Sequence, residues 1–311
     1  MTTRLASSLS KWSGFALPDV EHIIATAPRR YKVFTIPKKR GGLRQIAQPS
    51  RELKSLQVLL IGRVLHHLPV HDAAHGYVIG RGIKTNAQAH SKSNYLLKMD
   101  LRDFFPSIRP RDLRAHLKVQ AEGYLTDEEV GQLCNLVFWR PKGQRGLRLC
   151  IGAPSSPFLS NTIMLGVDQK LAEVARSLGV LYTRYADDLA FSSNEADVLP
   201  ALEARVIDVV EGSRFPKIFV NREKTVHISR AQRRMLTGLI LNSVGDVSLG
   251  RDRKRLIRAM VQSSRYGRLD EKELEKLNGL LSFAHDVEPG FAMKMRARMA
   301  LPQVDDGLGE V

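Results

Sequence analysis

Residues 180–191 read VLYTRYADDLAF, and their centre, Tyr185-Ala186-Asp187-Asp188, decides how the rest of the chain is read. Val180 to Thr183 and Leu189 to Phe191 are short runs of the residue types that strands favour. The pattern predicts a β-hairpin with both aspartates at its tip. Aspartate is also a common turn residue, because its side chain bonds nearby backbone, so the pair alone is far more often a plain turn than a catalytic one. What the rest of the chain brings to the hairpin has to decide.

The 311 residues carry 48 Lys plus Arg against 32 Asp plus Glu, a formal net charge of +16. That length holds one large core or two to three smaller ones, and the 43% hydrophobic content is that of a folded globular protein. The cationic excess points first to a polyanion and second to a membrane surface. No apolar run approaches the roughly 18–20 residues of a membrane span. The start, MTTRLASSLSKW, lacks the apolar core of a secretory signal. Cys134 and Cys150 are the only cysteines, which argues against a disulfide scaffold and for a reducing compartment. A cytoplasmic protein with no membrane partner is expected.

Residues 1–30 read as a helix or two, with Pro28 ending a run from Val20 to Ala27. Residues 29–44, RRYKVFTIPKKRGGLR, hold seven cations and no acid. Tyr31 to Ile36 and Leu43 to Ala47 predict two strands joined at Gly41-Gly42, with Lys38, Lys39, Arg40 and Arg44 around the tip. That tip is either a solvated cationic loop or a phosphate clamp. An amphipathic helix follows over 51–68 and closes at Pro69. His67, His71 and His75 are four apart, but Pro69 breaks the helix they would share, so no zinc site is expected. Residues 76–90, GYVIGRGIKTNAQAH, form a loop entering a helix that places Asn86 and His90 on one face.

Tyr95 to Leu101 predicts a central strand with Asp100 near its end, a costly place for a carboxylate unless it is paired or metal-bound. Residues 110–140 read as helical, with a capping signal at Thr126-Asp127-Glu128-Glu129, and 141–148 as a basic hairpin. IGAPSSPFLSN, 151–161, is a loop leading into a helix from about Phe158 to Leu178. Its small residues allow close backbone approach to a ligand. Beyond the aspartate hairpin come a helix over 197–212 and a strand, turn and strand over 214–228 with Lys224 after the turn. A short hairpin within 235–249 and a basic helical segment over 250–299 follow, the latter with Leu256, Ile257, Met260 and Val261 toward the core.

Phosphoryl transfer to a 3′ hydroxyl uses two divalent ions about 3.5–4 Å apart, and hard cations such as Mg²⁺ take carboxylate oxygens. Asp100 with Asp187 and Asp188 supplies the minimum set, while Lys38, Arg44 and Lys224 are candidates for a triphosphate.

At this point the chain resembles a reverse transcriptase, and specifically the retron type. IPKKRGGLRQI resembles the fingers block, MDLRDFF the first carboxylate block, GAPSSPFLSN the block contacting template and nucleotide, YADD the two-aspartate block and NREKT the lysine block. All occur in the family's order across roughly 30–290. NAQAH (86–90) matches a retron NAxxH element, and LTG (236–238) stands where retron enzymes carry VTG.

The resemblance implies an α+β right-hand polymerase fold: N-terminal helices and fingers over 1–94, a palm over 95–242 and a basic helical thumb over 243–311. The palm would be an antiparallel sheet with helices on one face and a fingers-like insertion at about 110–150. Asp100, Asp187 and Asp188 would be catalytic and hold two Mg²⁺ ions, with Mn²⁺ as the alternative. Lys38, Arg44, Leu101, Phe105, Gly152 and Lys224 would surround the nucleotide, Phe105 crowding a ribonucleotide 2′-OH so that dNTPs are used. Asn86, His90, Thr237, Gly238, Arg251, Arg253, Lys254 and Arg255 would contact RNA.

The implied reaction copies a cognate structured non-coding RNA from an internal 2′-OH into a branched RNA–DNA product, in antiviral defence with an accessory effector protein. Little chain follows the thumb, so RNA removal would fall to a host RNase H. Two departures stand out: Ile151 where many relatives carry Gln, and Leu236 for Val. A group II intron-like enzyme, an untemplated defence polymerase and a non-enzymatic RNA-binding scaffold are the competing readings. The three carboxylates argue against the scaffold.

Overall fold

Strand β3 (Tyr95–Asp100) alternates its side chains between two hydrophobic clusters, and this alternation sets the layers of the molecule. Leu97 and Met99 enter the larger cluster, and Leu96 enters the smaller one on the opposite face. In the computed structural model, residues 2–38 and 41–300 are described. Lys39 and Arg40 of the basic tip, and residues 301–311 of the expected thumb, lie outside the described residues.

β3 sits in a four-stranded antiparallel sheet with β4 (Leu181–Tyr185), β5 (Asp188–Ser193) and β6 (Val226–Ile228), in the order β4-β5-β3-β6. Tyr182, Leu189 and Phe191 point with Leu97 into the larger core. That core also takes helices α1 (Arg4–Ser13), α2 (Leu17–Thr26), α3 (Arg51–Leu60), the short α5 (Phe104–Ser107), α6 (Pro110–Gln120), α7 (Asp127–Val137), α8 (Ser155–Ile163), α9 (Leu165–Ser177) and α10 (Val198–Gly212). The capping signal at Thr126 is realised: its hydroxyl accepts from Glu129 N at 3.2 Å, while the Glu129 carboxylate returns to Thr126 N and reaches Leu5 N. The fold is the expected right hand, with one refinement. The second face of the sheet is also covered, by α4 (Ile83–Ala89), whose Ala87 packs beside Leu96 and Ala190.

Three local expectations are corrected. The helix expected from Phe158 begins at Ser155, because Pro154 and Pro157 fit a helix start, where no N–H donor is needed. It then breaks at Met164 (φ −74°, ψ −6°) before α9. The first strand expected in 214–228 is reduced to a bridge between Leu101 and Val220. Its backbone instead reaches the end of β3, with Asn221 N donating to Asp100 O at 2.7 Å, and a 3-10 turn (Arg222–Lys224) follows. Leu256 is 43% exposed, one position off the Ile257, Met260 and Val261 line that α11 (Arg251–Arg265) buries.

The smaller cluster joins α11, α12 (Glu271–Val287) and α13 (Pro289–Met299) to a three-stranded sheet of β7 (Met235–Leu236), β8 (Leu239–Leu241) and β9 (Val247–Ser248). A boundary at 242/243 divides this sheet. Leu236, Leu239 and Leu241 share their core with Ile257, Met260 and Leu277. No described helix is long and apolar enough to cross a membrane.

The basic hairpin, β1 (Tyr31–Pro37) and β2 (Leu43–Pro49), is tied to the body at Gly152. Ala47 N donates to Ile151 O at 2.9 Å. A Cβ on Gly152 would lie 2.9 Å from Ala47 O and 3.0 Å from Ile46 Cγ2, and its φ of +119° suits glycine alone. The close backbone approach expected of this loop is therefore made to strand β2. Gly152→Ala is expected to cost about 1–3 kcal/mol, read as a lower urea midpoint with an unchanged slope.

Candidate active site

The antiparallel register brings the three aspartates to one end of the sheet. Asp100 ends β3 directly opposite Asp188, which opens β5, and Tyr185 closes the hairpin against Asp188. Leu101 N donates to Asp187 O at 2.9 Å, so the hairpin tip is also held to β3 through backbone. The Leu101 side chain lies in the core.

Asp100 is mostly buried, and the Lys224 ammonium donates to both its oxygens at 2.9 Å. Asn221 Nδ2 adds a bond of 3.3 Å to Oδ1. Lys224 thus stands at the carboxylates, reaching them from the 3-10 turn. Burial, then the charges of Asp187 and Asp100, push the Asp188 carboxyl up to about 6, against the pull of Lys98 and Lys224. Burial and Asp100 also raise Asp187, against Lys224 and Arg44. Among the described residues no three metal-binding side chains enclose a single point. The donor set nevertheless fits a hard divalent cation: oxygen ligands only, and carboxylates whose mutual repulsion such an ion relieves.

The hairpin is anchored from below by Arg184, fully buried on β4. Its Nε and Nη2 donate to the two carboxylate oxygens of buried Asp168 on α9, at 2.8 and 2.6 Å. Its Nη1 donates to Asn161 Oδ1 on α8 at 3.0 Å and to Ala186 O in the turn at 3.2 Å. Burial opposes this charge, and the Asp168 carboxylate outweighs it, holding the guanidinium ionised. Tyr182 OH completes the cluster at 2.7 Å from Asp168. The segment before α4 locks the outer edge: Arg184 N donates to Ala73 O at 2.7 Å, His75 N to Arg184 O at 2.8 Å, and Asn161 Nδ2 to Gly76 O at 2.7 Å. A Cβ at Gly76 would meet Ala186 N at 2.9 Å, so only glycine lets this segment lie against the turn.

Beside the aspartates is a row of rings. Phe104 is buried, whereas Phe105 is partly open, with its centroid 6.4 Å from Tyr77, and Tyr77 lies 6.2 Å from Tyr185. Burial raises the Tyr77 phenol, the Tyr185 and Asp187 charges add to this, and the Arg44 charge opposes them. Lys38 lies at the end of β1, its N donating to Gly42 O at 2.9 Å. Among the described residues, the non-glycine positions with positive φ are Tyr77 (62°), Asp103 (45°), Ala186 (56°) and Thr237 (48°). Each costs about 1–3 kcal/mol and must be held by its surroundings.

Residues 36–241 match the family described as reverse transcriptase (RNA-dependent DNA polymerase). Over 286 residues the chain is 38% identical to the retron Ec83 reverse transcriptase of Escherichia coli, covering 91% of each chain. It is 32% identical to the retron Ec73 reverse transcriptase of the same organism, covering 88% of this chain and 89% of that one. This chain belongs to the retron reverse transcriptases. The retron Mx65 reverse transcriptase of Myxococcus xanthus is 36% identical, and the match covers 87% of this chain but 64% of that longer one. Telomerase from Candida albicans, solved with a TWJ fragment of telomeric RNA, superposes with a TM-score of 0.50 at 13% identity, over 86% of this chain and 56% of that one. That likeness concerns the fold alone.

In this reverse transcriptase the residues expected to touch RNA separate into three groups. Asn86 and His90 are 1% exposed and bonded inward, which corrects their expected direct contact. Thr183 Oγ1 donates to Asn86 Oδ1 at 2.6 Å and lies 2.7 Å from His90 Nε2, while His90 Nδ1 lies 2.7 Å from Ser192 Oγ. They fasten α4 to β4 and β5 behind the aspartates. Thr237 and Gly238 form the β7–β8 turn, with Thr237 Oγ1 donating to Ile83 O at 3.2 Å and Arg253 to Gly238 O at 3.2 Å. On α11, Arg251 and Arg255 face outward, whereas Lys254 is paired with Glu288 at 2.6 Å. Sequence reasoning assigned no role to Arg184, Asp168, Asn161 or Tyr77. The available signal was a lone arginine in an apolar strand, which requires a buried carboxylate elsewhere.

Asp168→Asn leaves Arg184 buried without its counter-charge and is expected to lose about 3–5 kcal/mol of stability, measured by urea unfolding. A pH effect follows from the buried histidines. Burial holds His90 down to about 3 and His116 down to about 4, while the unfolded chain takes up protons below the ordinary value of 6.5. The unfolded state therefore binds more protons in this window, and stability falls as pH drops from 6.5 toward 4. Asp188 works in the opposite direction, so the comparison is with His90→Gln, whose thermal midpoint should depend less steeply on pH over that range.

Proposed function

We propose that this enzyme copies a cognate structured non-coding RNA into DNA, starting from a 2′-OH within that RNA and leaving a branched RNA–DNA product. The observation that carries the reading is the pairing of Asp100 with Asp188 at the same sheet end as Asp187, with Lys224 and Arg44 reaching the same place. Asp100, Asp187 and Asp188 would hold two Mg²⁺ ions, or Mn²⁺, which when bound supply charge neutralisation and a more acidic attacking hydroxyl.

The chain's own residues do the remaining work. Arg44 and Lys38 on the basic hairpin approach the triphosphate, with Lys224 held in reserve on Asp100. Half-open Phe105 underlies the sugar and crowds a 2′-OH, selecting dNTPs. Ile151 stands beside Gly152, where the nucleotide-facing loop meets β2, and so bears on nucleotide choice. Arg251, Arg255 and the exposed β7–β8 turn grip the duplex by its backbone, and Asn86 and His90 act on RNA only by holding α4 and that turn in place. In this reading fingers and palm divide near 95, and the palm–thumb division expected near 243 moves ahead of the β7–β9 sheet, which shares the core of the helices that follow it. An accessory effector protein, RNA removal by a host RNase H, a cytoplasmic location and a role in antiviral defence complete the proposal by analogy with the retron type.

The test uses the protein purified with its RNA, Mg²⁺ and labelled dNTPs. Extension of the RNA is expected, reduced at least about 10³-fold by Asp187→Asn; equal extension by that variant overturns the catalytic assignment. Phe105→Ala should admit ribonucleotides, and unchanged discrimination would remove the sugar-gate role.

A further inference from the structure

Tyr77 combines three features that the reaction outlined above does not use. Its backbone is left-handed at φ 62°, a conformation in which a bulky side chain is a clear outlier. The flanking chain enforces it: Gly76 is pinned by Asn161 and pressed on the Ala186 amide. The side chain is nevertheless 50% exposed, and its hydroxyl makes no hydrogen bond among the described residues. A strained residue that contributes an open ring and an unpaired donor is placed for something outside the chain.

The neighbours indicate what. Tyr77 lies between Phe105, assigned above to the sugar, and Tyr185, which closes the aspartate hairpin, at 6.4 and 6.2 Å between ring centroids. The row of rings therefore runs from the incoming sugar toward the aspartates. A base pair seated over that row with its minor-groove edge toward the protein would offer an acceptor in a nearly common position whatever the bases. A phenol donor in that place reads pair shape without reading sequence.

We propose that Tyr77 is a positioning residue for the nascent base pair, its ring supporting the pair and its hydroxyl donating to a minor-groove acceptor of correctly shaped pairs. This rests on the polymerase reading of the site. The hydroxyl then favours matched over mismatched pairs, and the ring sets nucleotide affinity.

The experiment is single-nucleotide incorporation on a synthetic RNA template annealed to a DNA primer, with matched and mismatched dNTPs, for the parent, Tyr77→Phe and Tyr77→Gly. Tyr77→Phe should lower matched kcat/KM about tenfold and leave mismatched incorporation nearly unchanged, so that matched-over-mismatched discrimination falls about tenfold. Tyr77→Gly relieves the left-handed strain, so its thermal midpoint should hold or rise while KM for the matched dNTP rises about tenfold or more. Parental discrimination in Tyr77→Phe together with parental KM in Tyr77→Gly overturns the inference, as does a Tyr77→Gly protein whose activity falls only in step with its thermal midpoint. A parent protein that extends no primer overturns the polymerase reading and this inference with it.

Discussion

The buried ion pair between Arg184 and Asp168 is the constraint on which the rest of the site depends. One guanidinium binds α9 through both carboxylate oxygens, α8 through Asn161, and the turn between the aspartates through Ala186 O. Removing two charges from water is expensive, and the cost is offset only when geometry is good and remaining polar atoms are satisfied. Both conditions hold here, with Tyr182 and Asn161 closing the network. Such a pair adds little net stability relative to an apolar core. What it provides is a single position for the hairpin, which the proposed reaction needs of its carboxylates more than it needs stability.

The same economy explains where the strained backbone lies. Tyr77, Asp103, Ala186 and Thr237 sit next to the aspartates, before Phe105, or at the tip of the β7–β8 turn, in the segments that meet substrate in the proposed reaction. Two of them are held by tertiary contacts, Ala186 by Arg184 and Gly76, and Thr237 by its bond to Ile83. The sheet core pays for these local costs with its apolar layers.

Much of the framework was legible in residue pattern. The alternation in Tyr95–Asp100, the capping box at Thr126, the Gly41-Gly42 turn and the aspartate hairpin each rest on local rules that neighbours along the chain enforce. The failures were also local in kind. Residues 214–220 have the composition of a strand but lie where Asp100 and Leu101 draw their backbone into single bonds. Leu256 belongs to the apolar run of α11 but falls outside the arc that meets the sheet.

For function, the residue pattern alone determined the chemistry: three carboxylates in two strand-like segments, cations for a polyanion, and the ordered motifs of a reverse transcriptase. Only the tertiary structure decided which polar residues stay open and which face inward. It turned Asn86 and His90 into a buried brace, put Lys224 on Asp100, spent Gly152 on strand β2, and brought Tyr77 into line with Phe105 and Tyr185. The physical reason is that side-chain type and spacing are local, whereas burial, pairing and approach are set by elements distant in sequence, such as Asp168 against Arg184 or Gly76 against Ala186.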